Sequence, residues 1–276
     1  MSDRQFRFGV VAADARTAEQ WRGLARRVES LGYATLLIPD TTHTLAPLPA
    51  AAAAAAATES LHVGSYVLAA ALRPPNLVAW EAATLHTVTG GRFELGLGAG
   101  RPDAEHDAAR LGLPATTTAQ RVQLLGETLR AVHQRREQDG GGPRLLVAGS
   151  GPRVLGLAAR YADTIAFGLP PSAGEDQLAE KVRLIRDVAG ERAGQIELSL
   201  NLLAVGTEAP PWLRQHLGVD VPALLAEGAL SVLAGTPLEM ADVLLRRRER
   251  YGVSYVCTNA AFLDQFTPVV ERLAGL

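Results

Sequence analysis

Residues 92–101, Arg-Phe-Glu-Leu-Gly-Leu-Gly-Ala-Gly-Arg, join an apolar strand to three alternate glycines, Gly96, Gly98 and Gly100, and end at the charged side chain of Arg101. A glycine at a strand end lets another molecule approach the backbone, because no Cβ stands in the way. The same alternation also suits plain packing inside a barrel, so both interpretations stay open. The position of the stretch favours a ligand site, since it lies among eight strand-like runs and between two other strand ends that suit a ligand.

The rest of the chain alternates apolar runs of strand length with helical patterns. Most of the runs are continuously apolar, which is typical of parallel strands covered on both faces. The predicted strands are Phe6–Ala12, Thr35–Pro39, His62–Leu68, Phe93–Gly98, Leu145–Ala148, Thr164–Phe167, Glu197–Leu203 and Ser254–Thr258. The predicted helices are Thr17–Leu31, a proline-initiated alanine run at 47–57, Pro75–Val88, Thr118–Gln138, Pro152–Tyr161, Glu175–Arg192, Pro237–Tyr251 and Phe266–Leu276.

Eight strand–helix repeats that end in a helix indicate an α/β fold, the (β/α)8 TIM barrel, with residues 1–276 as a single domain. A doubly wound open sheet is the alternative, but the first strand lacks the glycine fingerprint that such a sheet carries. Two predicted loops are long, residues 99–117 after strand four and residues 204–236 after strand seven. Active sites of TIM barrels lie at the C-terminal strand ends, so we expect these loops to shape a pocket and Trp212 in the second loop to meet substrate.

The composition suits a globular enzyme. Hydrophobic residues make up 47% of the chain and charged residues 20%, which excludes disorder as the main state. The net charge of −2 offers no electrostatic reason for a nucleic-acid or membrane partner. Neither a signal-peptide core nor an apolar run of about 20 residues is present, so we expect a cytoplasmic protein. The single cysteine, Cys257, is predicted to be buried, and no His or carboxylate pair has metal-ligand spacing, so we predict no metal site.

Polar and small residues follow several of the predicted strands. Strand two runs into Pro39-Asp40-Thr41-Thr42-His43, and strand three contains Ser65-Tyr66-Val67. Strand five runs into Ala148-Gly149-Ser150-Gly151-Pro152-Arg153 directly before a helix. Backbone N–H groups and the helix dipole make such a loop an anion site, typically for phosphate, whereas an ordinary helix cap by Ser150 is the alternative.

In this order and spacing, the motifs resemble the bacterial luciferase-like superfamily of flavin- and deazaflavin-dependent oxidoreductases. The resemblance covers nearly the whole chain and rests on Leu31-Gly32-Tyr33, Pro39-Asp40, Gly64–Leu68, Thr89–Gly98 and Gly149-Ser150-Gly151-Pro152. It implies a TIM barrel that binds FMN or the deazaflavin coenzyme F-420 with the ring over the barrel mouth, and the most similar branch uses F-420. It also implies a non-proline cis peptide near Ser65-Tyr66-Val67.

The resemblance assigns roles to residues at the strand ends. Asp40 matches an acid beside the reactive ring edge, and we predict Asp40 and His43 as catalytic residues. Many deazaflavin relatives carry a histidine directly after this acid; here Thr41 takes that position, and His43 is either a shifted substitute or a solvent-facing loop residue. The predicted cofactor-binding residues are Thr41, Ser65, Tyr66, Val67, Gly98, Gly100, Arg101, Ala148, Gly149, Ser150, Gly151, Pro152 and Arg153.

The chain also departs from the family pattern. Arg101 replaces a glutamate that protonates substrate in some relatives, and a guanidinium instead suits a phosphate or a substrate carboxylate. The phosphate-side lysines of some relatives are missing, since the only lysine is Lys181, so we predict Arg153 as the phosphate partner. The charged stretch Glu105-His106-Asp107 is predicted to be solvated, and Arg121 is predicted to lie on a helix surface or at an interface.

The resemblance therefore predicts an F-420-dependent reductase that transfers hydride to a C=C or C=N bond of a small-molecule or peptide biosynthetic intermediate. An FMN-dependent luciferase-like monooxygenase, which needs a dry pocket, is the alternative. A cofactor-free binding protein on the same barrel is a third interpretation, suggested by Thr41 and Arg101. No nucleic-acid or membrane partner is expected, and a monomer and a homodimer both stay open.

Overall fold

The computed structural model describes residues 4–12, 14–101, 104–208, 210, 213, 218 and 220–276. Within these residues, eight parallel strands, one of them in two pieces, form a barrel. Their bounds are β1 Arg7–Val11, β2 Thr35–Ile38, β3 His62–Ser65 with its continuation β4 Leu68–Ala69, β5 Phe93–Gly98, β6 Arg144–Gly149, β7 Thr164–Phe167, β8 Glu197–Leu202 and β11 Val253–Asn259. The short strands β9 Ala204–Val205 and β10 Val232–Leu233 form a separate parallel pair.

Hydrogen bonding closes the main sheet into a ring. The strands follow the order β3-β2-β1-β11-β8-β7-β6-β5, and β3 then pairs with β5. In this closing contact Val63 lies opposite Phe93 and Gly64 opposite Glu94, in parallel register. A ring of parallel strands has no open edge, which excludes the doubly wound sheet. The predicted (β/α)8 barrel is confirmed.

The helices pack outside the ring. Their bounds are α1 Ala18–Ser30, α2 Pro47–Ala55, α3 Pro75–Val88, α4 Ala104–Arg110, α5 Thr118–Asp139, α6 Pro152–Tyr161, α7 Glu175–Ala189, α8 Val221–Ala226, α9 Pro237–Tyr251 and α10 Leu263–Leu273. Local capping explains where several of them begin, because Thr17, Thr117 and Thr236 each accept a hydrogen bond from a first-turn backbone N–H. In the described part of the chain, no helix combines the length and apolar composition that a bilayer-spanning segment needs.

The structure refines the predicted elements in the third strand and in both long loops. The third strand ends at Ser65 and resumes at Leu68, and the peptide bond between Tyr66 and Val67 is cis, within the segment that the family resemblance indicates. The loop 99–117 contains α4, and the loop 204–236 contains β9, α8 and β10. Trp212 lies outside the described residues.

Side chains from opposite sides of the ring fill the barrel interior. They are Leu37, Leu146, Ala166, Tyr255 and Cys257. Cys257 is free and buried, as predicted, and burial raises the pKa of its thiol to about 12. The cysteine therefore acts as a small interior hydrophobe at neutral pH.

Close strand contacts explain one of the three alternate glycines. A Cβ at Gly96 would collide with the backbone carbonyl oxygen of Ser65. Gly96 thus meets the packing requirement of the barrel, and a side chain at this position would force the neighbouring strands apart. Gly98 and Gly100 also border the cavity described below, but a Cβ at Gly98 would lie 2.8 Å from Val67 Cγ2 and one at Gly100 3.3 Å from Ala104 Cβ. Close packing therefore restricts all three positions, and two of them also line the cavity.

Charged side chains form a network at the opposite end of the barrel, where the strands begin. Arg7 donates hydrogen bonds of 2.8 and 3.1 Å to the two carboxylate oxygens of Glu94, and its Nε lies 3.2 Å from Glu197. His62 Nδ1 lies 3.2 Å from Glu94, and Arg144 donates a hydrogen bond of 3.2 Å to Glu197. Both glutamates are buried. Because each member lies at or next to a strand start, this network ties the strands together away from the cavity.

Acid is expected to weaken the barrel through Glu94. Burial alone would raise the pKa of its carboxyl, but the close approach of His62 and the charge of Arg7 outweigh burial and lower this pKa from 4.5 to about 2. A carboxyl whose pKa is lower in the folded than in the unfolded state stabilises the fold while the pH is above its unfolded-state pKa. This contribution is lost as the pH falls toward the folded-state pKa. Urea titrations should therefore show a free energy of unfolding that falls between about pH 5 and pH 2. A value that stays constant over this range would contradict the prediction.

Candidate functional site

A cavity of about 960 Å³ opens at the C-terminal ends of the strands, the end at which TIM-barrel active sites lie. Its walls come from the segments after β2, β5, β6 and β7, from the β3–β4 region, and from the first turns of α5 and α6. All predicted site residues except His43 and Ser65 line it. These are Asp40, Thr41, Tyr66, Val67, Gly98, Gly100, Arg101, Ala148, Gly149, Ser150, Gly151, Pro152 and Arg153. The fold brings them into one space, and their individual roles stay predictions.

The segment around the cis peptide and the end of β5 form the inner wall of this cavity. Val67 packs on Gly98 so closely that a Cβ at Gly98 would lie 2.8 Å from Val67 Cγ2. Gly100 has a φ of 92°, which a residue with a side chain rarely adopts. Gly98 and Gly100 add no side chain to this wall, so the cavity is bounded there by their backbone and by Val67.

Tyr66 and Ser65 lie on the barrel side of this wall. Tyr66 packs against the interior cluster that contains Tyr255 and Cys257, and burial raises the pKa of its phenol well above the ordinary value, so the phenol stays protonated at neutral pH. The buried Ser65 hydroxyl donates a hydrogen bond of 2.8 Å to the Gly96 carbonyl and accepts one of 3.0 Å from the Gly96 N–H. Ser65 thus supports the wall from the side away from the cavity. The sequence motif alone does not show which way its side chain points.

Asp40 is held in a fixed position in the cavity wall. Arg73 donates hydrogen bonds of 2.6 and 3.0 Å to its two carboxylate oxygens, and the Ala69 N–H donates a third of 3.0 Å. Only 6% of the Asp40 side chain is exposed. In all three hydrogen bonds Asp40 is the acceptor, which suits a carboxylate at this position. The bonds also tie the end of β2 to the segment that follows the cis peptide.

His43 lies in a neighbouring, smaller depression that shares Thr41 and Arg101 with the cavity. Its exposed ring contacts Arg110, whose Nη1 lies 2.8 Å from Nε2 and 3.1 Å from Nδ1 of the imidazole. Among the described residues no hydrogen bond joins His43 to Asp40. The two residues predicted as a catalytic pair thus face different spaces in this structure.

The charged stretch after Arg101 is not a solvated loop, which corrects the sequence-based expectation for Asp107. It belongs to α4, and Asp107 is buried, with hydrogen bonds of 3.1 and 2.6 Å from the N–H and hydroxyl of Thr42 and an ion pair of 3.1 Å with Arg101. Burial would raise the pKa of Asp107, but these hydrogen bonds and the Arg101 charge lower it below its ordinary value. Asp107 thereby joins α4 to the loop after β2, whereas Glu105 and His106 are exposed as predicted.

The loop between β6 and α6 has the geometry of an anion site. The N-cap of α6 is Gly151, and no side chain caps this helix, so the structure does not support the alternative of a Ser150 cap. Pro152 is the first helical residue, and Arg153 follows it at the exposed rim. The N–H groups of the first turn are directed away from the helix, toward the end where the loop borders the cavity.

The first turn of α5 is a part of the cavity that sequence reasoning missed. Thr118, Ala119 and Val122 line the cavity, together with Val154 of α6. The capping box formed by Thr117 and Gln120 marks this helix start in the sequence, but nothing in the sequence shows that it lies over the barrel mouth. The other lining residues that were not among the predicted site residues are Pro39, Ala69, Ala99, Ala104 and Gly168.

Arg121 is buried beside this first turn, which excludes the surface, the first of its two predicted positions. It donates hydrogen bonds of 3.3 Å to Glu105, 3.2 Å to the Thr116 carbonyl and 3.1 Å to the Thr118 hydroxyl. Arg121 therefore fixes the helix start against the segment that carries α4. Among the described residues, no group of three or more His, Cys, Asp and Glu side chains is placed to hold a metal ion.

Several solved structures resemble nearly the full chain. The coenzyme F-420-dependent tetrahydromethanopterin reductase from Methanopyrus kandleri is 14% identical, with a TM-score of 0.73 over 98% of this chain and 99% of that chain. An F-420-dependent secondary alcohol dehydrogenase, in complex with an F-420–acetone adduct, is 18% identical, with a TM-score of 0.76 over 98% of both chains. A riboflavin lyase with a modified FMN and riboflavin is 18% identical, with a TM-score of 0.74 over 98% of this chain and 93% of that chain. At these identities the likeness shows the fold alone.

Sequence comparison identifies the family. No curated protein matches the chain. The family model described as luciferase-like monooxygenase matches residues 5–216, which is more than half of the 276 residues. The chain belongs to the luciferase-like monooxygenase family.

Proposed function

We propose that residues 1–276 act as one F-420-dependent oxidoreductase domain, a reductase that transfers hydride to a C=C or C=N bond of a small-molecule or peptide intermediate. The observation that carries the proposal is the uncapped start of α6, which opens into the same cavity as the glycine-rich wall of β5. One ligand with a flat ring and a phosphate would use both features. Two of the similar structures are named as F-420-dependent enzymes.

The residues present suit such a cofactor. Gly151 borders the cavity, and a Cβ there would meet no atom within 4 Å, so this side of the loop is open to a ligand. The N–H groups at the start of α6 would bind its phosphate, and Arg153 would add a positive charge beside them. Val67 and the backbone at Gly98 would support the ring. When bound, the reduced deazaflavin supplies the hydride, and the protein supplies binding, orientation and proton handling.

The open rim favours F-420 over FMN. Gly151, Pro152 and Arg153 are all exposed, so a chain that continues beyond the phosphate can leave the cavity into solvent. F-420 carries an acidic chain beyond its phosphate, whereas FMN ends there. The arginine at the rim suits such an acidic chain electrostatically.

Asp40 and His43 are the proposed proton-handling residues. Reduction of the substrate needs one proton for each hydride. Asp40 borders the cavity as a carboxylate held by Arg73, so it would accept a proton from the reduced cofactor and pass it to the substrate. His43 is close in sequence to Thr41, which lines both the cavity and the neighbouring depression. His43 would act after its ring is released from Arg110. Arg101 does not serve as an acid, because a guanidinium keeps its proton at neutral pH.

Titration of the purified protein with F-420 and, separately, with FMN tests the cofactor. Followed by fluorescence, F-420 is expected to bind with micromolar or tighter affinity and FMN more weakly. Replacing Arg153 by alanine should weaken F-420 binding by about tenfold, since hydrogen bonds to charged groups are worth roughly 1.5–3 kcal/mol. Arg160→Ala, on the exposed surface of the same helix, is the matched control and should leave binding unchanged.

The titration also distinguishes the alternatives. The family description and the apolar glycine, alanine and valine lining of the cavity favour an FMN-dependent monooxygenase as the second candidate, because that chemistry needs a water-poor pocket. Equal or tighter binding of FMN would assign the protein to this class. Failure of both ligands to bind would support a cofactor-free binding protein.

A further inference from the structure

The depression beside the cavity has a composition that the cofactor does not explain. It has a volume of about 480 Å³ and shares Thr41 and Arg101 with the cavity. Its other described lining residues are His43, His106, Asp107, Ala109 and Arg110. We call it the Arg110 depression. Because the two spaces share residues, a molecule bound here lies next to whatever occupies the cavity.

Positive charge dominates the described lining of the Arg110 depression. Asp107 is the only acidic residue in that lining, and it is buried with its oxygens already bound to Thr42 and Arg101. Arg110 is exposed, and its contacts are with the His43 ring and the Thr42 hydroxyl, at 3.3 Å in the latter case. Among the described residues no carboxylate pairs with Arg110.

The geometry suits a carboxylate. A guanidinium pairs with a carboxylate through two parallel hydrogen bonds, and such charge-assisted bonds are about twice as strong as neutral ones. The imidazoles of His43 and His106 border the same space and offer further N–H donors. A carboxylate would also replace the His43 ring as the acceptor of Arg110, which would release the imidazole that the proposed proton transfer requires.

We propose that the Arg110 depression binds a carboxylate group and that this group belongs to the substrate, which makes the substrate a carboxylic acid. The assignment to the substrate rests on the proposed function. The carboxylate site itself does not, because it can be measured on the protein without cofactor.

Benzoate, with its uncharged isostere benzamide, is a suitable probe of the site. In NMR titrations, benzoate should shift the imidazole signals of His43 and His106 in a saturable manner, and benzamide should not. The variants His43→Gln and His106→Gln assign the signals. Arg110→Gln should weaken benzoate binding by about tenfold or more, and Arg110→Lys, which keeps the charge, by less. Arg130→Gln, an exposed arginine of α5 outside the depression, is the matched control.

Two outcomes would overturn the proposal. If benzoate shifts neither histidine, or if Arg110→Gln binds it as well as the wild type, there is no carboxylate site at Arg110. The carboxylate could also be that of the acidic chain of F-420, so F-420 affinity is measured in Arg110→Gln as well. An unchanged affinity supports a substrate site, and a loss of about tenfold assigns the carboxylate to the cofactor instead. Failure of F-420 to bind the wild type would refute the proposed function while leaving the benzoate result intact.

Discussion

Replacement of Asp40 by asparagine is expected to lower turnover by about 10²–10⁴-fold, the range typical of a positioned acid–base group. The substitution keeps the size of the side chain and removes its charge from the cavity wall, so the group that would transfer the proton is lost. Oxidation of reduced F-420 by 2-cyclohexen-1-one, a probe with an activated C=C bond, measures turnover. F-420 affinity should stay within a few-fold of the wild type.

Affinity and a second variant separate proton transfer from positioning. Asp40 also binds Arg73 and the Ala69 N–H, so Asp40→Asn could act by displacing the wall, and F-420 affinity would then fall together with turnover. Arg73→Gln removes the partner but keeps the carboxylate, and it should lower turnover less than Asp40→Asn.

His43→Ala should lower turnover without a change in F-420 affinity. Asp187→Asn, a substitution at an exposed residue of α7, serves as the control. Wild-type turnover in both Asp40→Asn and His43→Ala would show that the proton comes from water or substrate.

Replacement of Glu94 by glutamine is expected to lower the free energy of unfolding by about 3–5 kcal/mol, as is typical when one partner of a buried ion pair is removed. The Glu94 side chain is 3% exposed and receives two hydrogen bonds from Arg7. Its loss would leave the Arg7 guanidinium with Glu197 as its remaining acid partner among the described residues. Urea denaturation at neutral pH measures the change.

The pH dependence provides an internal check on this result. Since the Glu94 carboxylate stabilises the fold only while it is ionised, the difference between wild type and Glu94→Gln should shrink as pH falls from about 5 toward 2. Glu249→Gln, an exposed residue of α9, is the matched control and should change stability by less than about 0.5 kcal/mol. A destabilisation by Glu94→Gln that is the same at all pH values would indicate a packing effect.

Much of the fold can be predicted from local signals. Continuous apolar runs such as Thr35–Ile38 and the capping threonines Thr17, Thr117 and Thr236 depend on near neighbours in the chain, and they place most elements within one to three residues. Parallel strands in a barrel present their C-terminal ends on the same side. Residues that follow several different strands can therefore be assigned to one pocket on the strength of their positions in the chain.

Burial of charged residues cannot be predicted in the same way. The neighbours of Asp107 in sequence are charged and indicate a solvated segment, but its hydrogen-bond partner Thr42 lies 65 residues away. Arg121 is a second case, since its partner Glu105 lies on α4. The Arg110 depression, which His43 lines, also depends on α4. This helix is short and has no apolar period by which the sequence would predict it.

The sequence by itself determined the closed barrel, the end at which the cavity lies and the glycines that border it, because hydrophobic period, helix caps and the absence of a Cβ are properties of the residues themselves. Only the tertiary structure decided which neighbours pack against each glycine, that Asp40 is bound by Arg73, and that His43 faces Arg110. These contacts join segments that are far apart in the chain, and their distances follow from how the strands and helices pack around the ring.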